Sequence, residues 1–137
     1  MKNVCCLDTG IITQFYSKNP PKEILELMKD VKKKKIKSFV LYPILIEAYY
    51  HICRLLGNIA AETRIASFIN NYPVKLVYLN SSLVFKAGEL KCKHSNILSY
   101  NDCIIIAYAL NKRIFLHTTE KNFHTIFPTL KLKEYRF

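Results

Sequence analysis

The stretch NVCCLDTGIITQFY, residues 3–16, joins a short apolar run to a short helical segment, with a single carboxylate, Asp8, between them. The run NVCCLD is apolar and composed of residues that favour extended structure, and TG ends it, so it predicts a short buried strand. IITQFY predicts a short helix. The chain thus opens with a strand followed by a helix, and an acidic residue stands at the junction.

The alternation of strand and helix continues along the rest of the chain. Further strands are predicted in IKSFVL, VKLVYL, RIFLHT and, as an edge strand, LKLKEY. Helices are predicted in PPKEILELMKDVKKK, PILIEAYYHICRLLG, IAAETRIASFINNY, SSLVFKAGELKCKH, SYNDCIIIAYALNK and, as a short turn or helix, KNFHTIF. Because the inner strands are continuous apolar runs, this order predicts a three-layer α/β/α sandwich around a central, mainly parallel sheet of four to five strands. No repeat or linker divides residues 1–137, so we expect a single domain.

Several predicted helices carry typical residues at their ends. Pro43 opens the helix PILIEAYYHICRLLG and Gly57 closes it. Ser99 is predicted to cap SYNDCIIIAYALNK, and Ser81 or Ser82 is predicted to cap SSLVFKAGELKCKH.

The net charge of +11 is the strongest compositional signal. A basic surface attracts phosphate polyanions and favours a nucleic acid partner, although Lys-rich compositions also occur in proteins without one. The longest uncharged apolar runs are far shorter than the ~20 residues that cross a membrane. Asp8 also interrupts the apolar N-terminus too early for a signal peptide. We therefore expect a cytoplasmic protein without membrane association.

The five cysteines do not predict a disulfide framework or a zinc site. Their number is odd, and none of them forms a C-x-x-C pair. Cys92 and His94 lie close together in KCKH, but a zinc site needs about four ligands and no second pair is present in the sequence. We expect buried or incidental thiols.

Four of the ten acidic residues stand at predicted strand ends or in apolar helical segments. Asp8 and Glu120 follow the first and fourth strands, where the ligand crevice of such folds lies. Asp102 opens the helix before the fourth strand, and Glu47 lies within PILIEAYYHI. Buried carboxylates without partners are costly, and a cluster of them favours Mg²⁺ or Mn²⁺, which prefer oxygen ligands. A carboxylate-held ion can activate water for phosphodiester cleavage, so the pattern is consistent with a metal-dependent nuclease.

Each of these acids also has a purely structural interpretation. Asp8 is a good N-cap for the short helix that follows it, and Asp102 can act as a first-turn acid stabilised by the helix dipole. Glu47 can be a helix-surface residue, and Glu120 can be a turn residue. The nuclease interpretation therefore depends on the joint placement of the four acids.

The motifs together resemble the PIN domain family, the α/β nuclease fold of VapC-type toxins and of RNA-processing enzymes. The resemblance runs from VCCLDTGIIT through ILIEAYYHI and SYNDCIIIAYAL to FLHTTEKNF. Members carry Asp-Thr or Asp-Ser after the first strand, here Asp8-Thr9, a helical Glu, here Glu47, and an S-x-x-D helix, here Ser99 and Asp102. A final T-x-D-x-x-F turn is similar to TTEKNF, where Glu120 replaces the more usual Asp and reaches about one methylene further.

The resemblance implies a Mg²⁺- or Mn²⁺-dependent endoribonuclease in which Asp8, Glu47, Asp102 and Glu120 hold the metal. Thr9 and Thr118 would orient carboxylates or water. No histidine is assigned as the general base, and His117 is expected to have a structural role. For a VapC-type toxin the implied partners are RNA, a small antitoxin protein and a second copy of the chain in a homodimer. A housekeeping RNA-processing nuclease and a non-catalytic RNA-binding module remain as alternatives.

Overall fold

A five-stranded parallel sheet forms the centre of the protein. The computed structural model describes residues 3–137. Its strands are β1 (Val4–Leu7), β2 (Lys37–Leu41), β3 (Lys75–Val77), β4 (Phe115–Thr118) and β5 (Leu132–Glu134). They lie in the order β3-β2-β1-β4-β5, and each neighbouring pair is parallel. This confirms the predicted parallel sheet, including the edge position of the last strand.

Seven helices in residues 3–137 connect these strands and cover the sheet. They are α1 (Thr9–Phe15), α2 (Lys22–Lys32), α3 (Tyr42–Leu56), α4 (Asn58–Asn71), α5 (Ser81–Lys93), α6 (Tyr100–Lys112) and α7 (Phe123–Ile126). The chain moves outward from β1 to β3 and then crosses back to β4. Because parallel crossovers are right-handed, α1–α4 cover one face of the sheet and α5 and α6 cover the other. The predicted three-layer α/β/α architecture is therefore confirmed.

The core is built from the apolar runs that the sequence indicated. Cys5, Cys6 and Leu7 of β1 are completely buried, as are Ile105 and Ile106 of α6. Each fully buried leucine or isoleucine side chain stabilises the fold by roughly 1.5–3 kcal/mol relative to an exposed one. The central strand and α6 are thus held in place by apolar contacts, which fixes the positions of the residues at their ends.

The helix ends agree with the predicted caps at Ser99 and Gly57 and disagree at α5. Ser99 forms a capping box with Asp102, and Gly57 adopts the positive φ of 95° that favours glycine. The N-cap of α5 is Asn80, whose side-chain oxygen accepts a hydrogen bond from the N–H of Leu83 at 2.9 Å. The prediction of Ser81 or Ser82 was therefore wrong, because Asn caps helices as well as Ser and the helix starts one residue earlier.

All five cysteines are free, and three of them, Cys5, Cys6 and Cys103, are buried. Within residues 3–137, no helix has both the length and the apolar character needed to cross a membrane.

Gly10, in the first turn of α1, brings that helix close to the segment that follows β4. A Cβ atom at this position would lie 2.0 Å from Thr119 Oγ1 and 3.0 Å from Thr119 Cβ. Rotation of the Thr119 side chain would not remove the second contact, because Cβ does not move with it. The close approach of the two segments therefore requires glycine.

We expect Gly10→Ala to lower the free energy of unfolding by about 1–3 kcal/mol, the usual cost of overpacking. Gly88→Ala is the matched control, since a Cβ there meets no atom within 4 Å. In the interior of α5 this change should raise the free energy of unfolding by about 1 kcal/mol, because alanine favours the helix. Urea unfolding of both variants tests this, and a Gly10→Ala protein as stable as the native one would contradict it.

Candidate active site

The four predicted acids line one pocket at the carboxyl edge of the sheet. The pocket has a volume of about 510 Å³, and Asp8, Glu47, Asp102 and Glu120 all belong to its wall. Asp8 follows β1 and Glu120 follows β4, the two strands between which the direction of the chain connections reverses. The crevice at such a switch point is the usual ligand site of an open parallel sheet.

Asp8 is the most deeply buried of the four carboxylates, with 6% of its surface exposed. Its Oδ1 accepts the backbone N–H of Thr9 at 2.8 Å, and its Oδ2 accepts the hydroxyl of Thr118 at 2.7 Å. Burial raises the pKa of Asp8 to about 6, although these two hydrogen bonds oppose the shift and the charges of Asp102 and Glu120 add to it. Asp8 also stands at the N-cap of α1, so its capping role is present together with its position in the pocket.

Glu47 is held in place by donors from three different helices. Its Oε1 accepts the hydroxyl of Thr9 at 2.9 Å and the side-chain amide of Asn101 at 2.8 Å. His51 Nε2 lies 3.3 Å from its Oε2, one helical turn along α3. Burial alone would raise the pKa of Glu47, but the hydrogen bonds from Asn101, Thr9 and His51 outweigh burial and lower this pKa. Glu47 is therefore a fixed anion in the wall of the pocket.

Asp102 and Glu120 complete the acidic wall from α6 and from the turn after β4. Asp102 Oδ2 accepts the backbone N–H of Ser99 at 3.1 Å, as its capping role required. The backbone N–H of Glu120 donates to Thr118 Oγ1 at 3.0 Å, but the side chain of Glu120 is exposed. The pKa of Glu120 is raised by partial burial and by the charges of Asp102 and Glu47. The carboxylates thus influence one another across the pocket.

The chemistry of this donor set fits a divalent cation. Among the described residues, no Lys or Arg forms an ion pair with any of the four acids, and His51 is the only basic side chain that contacts one of them, Glu47. In the same range, no three acidic, His or Cys side chains stand close enough together to enclose an ion as they are placed. Exposed Glu120 can rotate at little cost, whereas Asp8 and Glu47 are fixed by hydrogen bonds. Hard oxygen ligands of this type suit Mg²⁺ or Mn²⁺.

The two threonines named from the sequence each contact a carboxylate of the pocket. Thr9 bonds Glu47, and Thr118 bonds Asp8 and the backbone of Glu120. His117, by contrast, turns its ring away to Tyr135, with Nδ1 2.8 Å from the tyrosine hydroxyl. Burial lowers the pKa of His117 to about 4, so it is a neutral ring packed within the structure.

Several residues of this pocket were not predicted from the sequence. Asn101 donates to the backbone oxygen of Pro43 at 3.2 Å as well as to Glu47, and so links α6 to α3. No local pattern distinguishes this amide, whereas the i, i+4 spacing of Glu47 and His51 is a signal from which a pair on one helix face could have been predicted. Exposed Tyr50 and Arg54 from the same helix also line the pocket.

The fold and the site together define an α/β/α protein with an acidic pocket at the switch point of its parallel sheet. Residues 5–126 match the PIN domain family, and the chain belongs to that family. Comparison with the sequences of curated proteins gives no significant match.

Several solved structures of VapC-type proteins have the same fold. The chain is similar to the structure of VapBC2 from Rickettsia felis bound to a promoter DNA fragment, with a TM-score of 0.76 and 18% identity over 97% of this chain and 99% of the other. It is also similar to VapC20 of Mycobacterium tuberculosis, described as a toxin that cleaves the sarcin-ricin loop, with a TM-score of 0.69 and 15% identity over 89% and 93% of the two chains. A third similar structure is FitAB bound to DNA, with a TM-score of 0.70, 12% identity, and 95% and 94% coverage.

The raised pKa of Asp8 predicts an unusual dependence of stability on pH. The folded protein keeps a proton on Asp8 up to about pH 6, whereas the ordinary value for an unfolded chain is 3.8. The free energy of unfolding therefore falls as pH rises through this window, by about 3 kcal/mol for this group. In EDTA, Asp8→Asn should stabilise the protein by about 1–3 kcal/mol at pH 7 and should lose this advantage at pH 4.

Chemical unfolding at the two pH values measures this difference. Asp30→Asn, on α2 and outside the pocket, is the control for general loss of a negative charge. A gain in Asp8→Asn that is equal at pH 4 and pH 7 would show that the charge of Asp8 is not its cause.

We also expect Asn101→Ala to remove one of the hydrogen bonds that fix the Glu47 carboxylate. Loss of the amide should lower the free energy of unfolding by about 1 kcal/mol and should raise the pKa of Glu47, because one of the hydrogen bonds that lower it is removed. Carboxyl ¹³C titration by NMR measures this pKa. Asn70→Ala in α4, an exposed position, is the control for the exchange of a helical Asn for Ala. An unchanged Glu47 pKa in Asn101→Ala would refute the orienting role of the amide.

Proposed function

We propose that the protein is a Mg²⁺- or Mn²⁺-dependent endoribonuclease and that it is the toxin of a VapBC-type toxin–antitoxin pair. The observation that carries the proposal is the shared pocket of Asp8, Glu47, Asp102 and Glu120 in a chain with a net charge of +11. The acidic pocket would repel RNA by itself, so a bound cation is required for the substrate to approach. Membership of the PIN domain family and the similarity to VapC structures support the same function.

Asp8, Glu47, Asp102 and Glu120 would hold the ion, directly or through water. When bound, it supplies a Lewis acid for the phosphate and lowers the pKa of a coordinated water. Thr118 keeps the Asp8 carboxylate turned into the pocket by its hydrogen bond of 2.7 Å. Thr9 and Asn101 do the same for Glu47, and fixed outer partners of this kind commonly improve metal affinity 10–100-fold.

Two further side chains of the pocket are suited to RNA. Arg54 is exposed at the pocket wall and can pair with a backbone phosphate beside the scissile one. Tyr50 has 54% of its surface exposed and offers a ring on which an unpaired base can stack. The substrate would therefore be a single-stranded or looped segment whose phosphates enter the acidic pocket through the cation.

An apolar groove beside the pocket supports an antitoxin as partner. It has a volume of about 240 Å³ between α1 and α3, and it shares Thr13 and Leu55 with the acidic pocket. Leu55 has 69% of its surface exposed. A partner segment with apolar side chains in this groove could extend a basic residue to the four acids and block the metal site. We propose that the antitoxin binds in this way. We also propose that the protein is a homodimer and that it is cytoplasmic.

The nuclease proposal predicts that Asp8→Asn loses RNA cleavage while Glu89→Gln keeps it. Glu89 is an exposed acid of α5 outside the pocket and controls for loss of one negative charge. Cleavage of structured RNA in Mn²⁺ should slow by at least about a hundredfold in Asp8→Asn, since the metal contributes several kcal/mol to the reaction. In a bacterium without antitoxin, the native chain and Glu89→Gln should arrest growth and Asp8→Asn should not.

Two outcomes of this experiment separate the alternatives. Metal-dependent cleavage without growth arrest would favour a housekeeping nuclease. A native chain that binds RNA but neither cleaves it nor binds Mn²⁺ at millimolar concentration in calorimetry would refute the nuclease and leave a non-catalytic RNA-binding module.

A further inference from the structure

A second cavity, of about 540 Å³, lies between the β2–β3 side of the sheet and the helices α5 and α6, and it extends to Tyr78, just after the carboxyl end of β3. Val4, at the start of β1, and Ile114, just before β4, belong to its wall. The acidic pocket begins with Asp8, after the other end of β1. The two cavities share no residue. The function proposed for the four acids therefore makes no use of this cavity.

The wall of this second cavity carries positive charge from three elements. Lys75 begins β3, Lys86 lies in α5 and Lys112 ends α6, and all three are exposed. The cavity wall contains no Asp or Glu. Lys86 Nζ donates to the side-chain oxygen of Asn111, which directs this ammonium group toward α6. Positive groups that converge in a cleft from separate elements attract phosphate.

The same wall also carries aromatic rings. Tyr78 is 75% exposed, and its ring lies against Tyr42 with the centroids 4.6 Å apart and the planes 30° apart. Phe39 and Tyr108 form the deeper part, with centroids 6.3 Å apart. A ring fixed by a neighbouring ring at the mouth of a cavity is a surface for stacking, and stacking on such platforms is tolerant of base identity.

We propose that this cavity binds a nucleotide, with the base against Tyr78 and the phosphate between Lys86 and Lys112. Its volume is in the ~300–1,000 Å³ range of small-molecule sites. Inorganic phosphate alone would leave the aromatic wall unused, whereas a nucleotide uses both the rings and the lysines. The nucleotide can be a free mononucleotide or one unit of an RNA chain, because both present the same base and phosphate.

Calorimetry in EDTA tests the site, because cleavage and metal binding at the acidic pocket are then absent. The probes are adenosine monophosphate, adenosine, inorganic phosphate and a 2′-O-methyl single-stranded octanucleotide. Lys86→Gln/Lys112→Gln should weaken binding of the monophosphate or of the octanucleotide by about tenfold or more. Lys29→Gln/Lys33→Gln removes the same charge from exposed positions outside the cavity and should change the affinity less than about threefold.

Variants of Tyr78 test the aromatic half of the proposal. Tyr78→Ala should weaken nucleotide binding about tenfold, and Tyr78→Phe, which keeps the ring, should retain it. Binding of the monophosphate assigns the site to free nucleotides, and binding of the octanucleotide alone assigns it to RNA. The proposal is overturned if neither the monophosphate nor the octanucleotide binds, or if inorganic phosphate binds as tightly as the monophosphate. It is also overturned if the two double-lysine variants lose nucleotide affinity equally.

Discussion

The hydrogen bond from the Thr118 hydroxyl to the buried carboxylate of Asp8 connects the ends of β1 and β4. These are the neighbouring strands from which the chain departs in opposite directions, so their carboxyl ends enclose a crevice. A carboxylate buried to this extent needs donors, and Thr118 and the Thr9 N–H supply them. The apolar contacts of β1 determine where this carboxylate lies, and its hydrogen bonds determine its direction.

The rest of the acidic pocket is built outward from this contact. Thr9, the residue after Asp8, uses its hydroxyl to hold Glu47 of α3. Thr118, while it donates to Asp8, accepts the N–H of Glu120 and so shapes the turn that carries that residue. One threonine beside each strand end therefore connects the buried acid to a more exposed one. This arrangement explains why short motifs far apart in the chain produce one pocket.

The sequence predicted the features that depend on local pattern. Apolar runs predicted the parallel strands, and the position of Asp8 and Glu120 after two of them placed both acids at one edge of the sheet. The cap at Asn80, the amide of Asn101 on Glu47 and the contact of Gly10 with Thr119 were missed. The latter two join residues far apart in sequence, and neither residue type alone indicates a partner. The cap was missed because Asn and Ser are nearly equivalent at that position.

Charge is arranged along the strands in a way that suits a polyanion. The carboxyl edge of the sheet carries Asp8 and Glu120, whereas the amino edge carries Lys37 at the start of β2 and Lys75 at the start of β3. An acidic pocket on an acidic protein would repel RNA over the whole surface. In a chain of net charge +11, the repulsion is confined to the pocket, within one Debye length, which is ~8 Å at physiological salt. Under the proposed function, RNA would therefore be attracted by the protein as a whole and would be admitted to the four acids only when a cation has neutralised them.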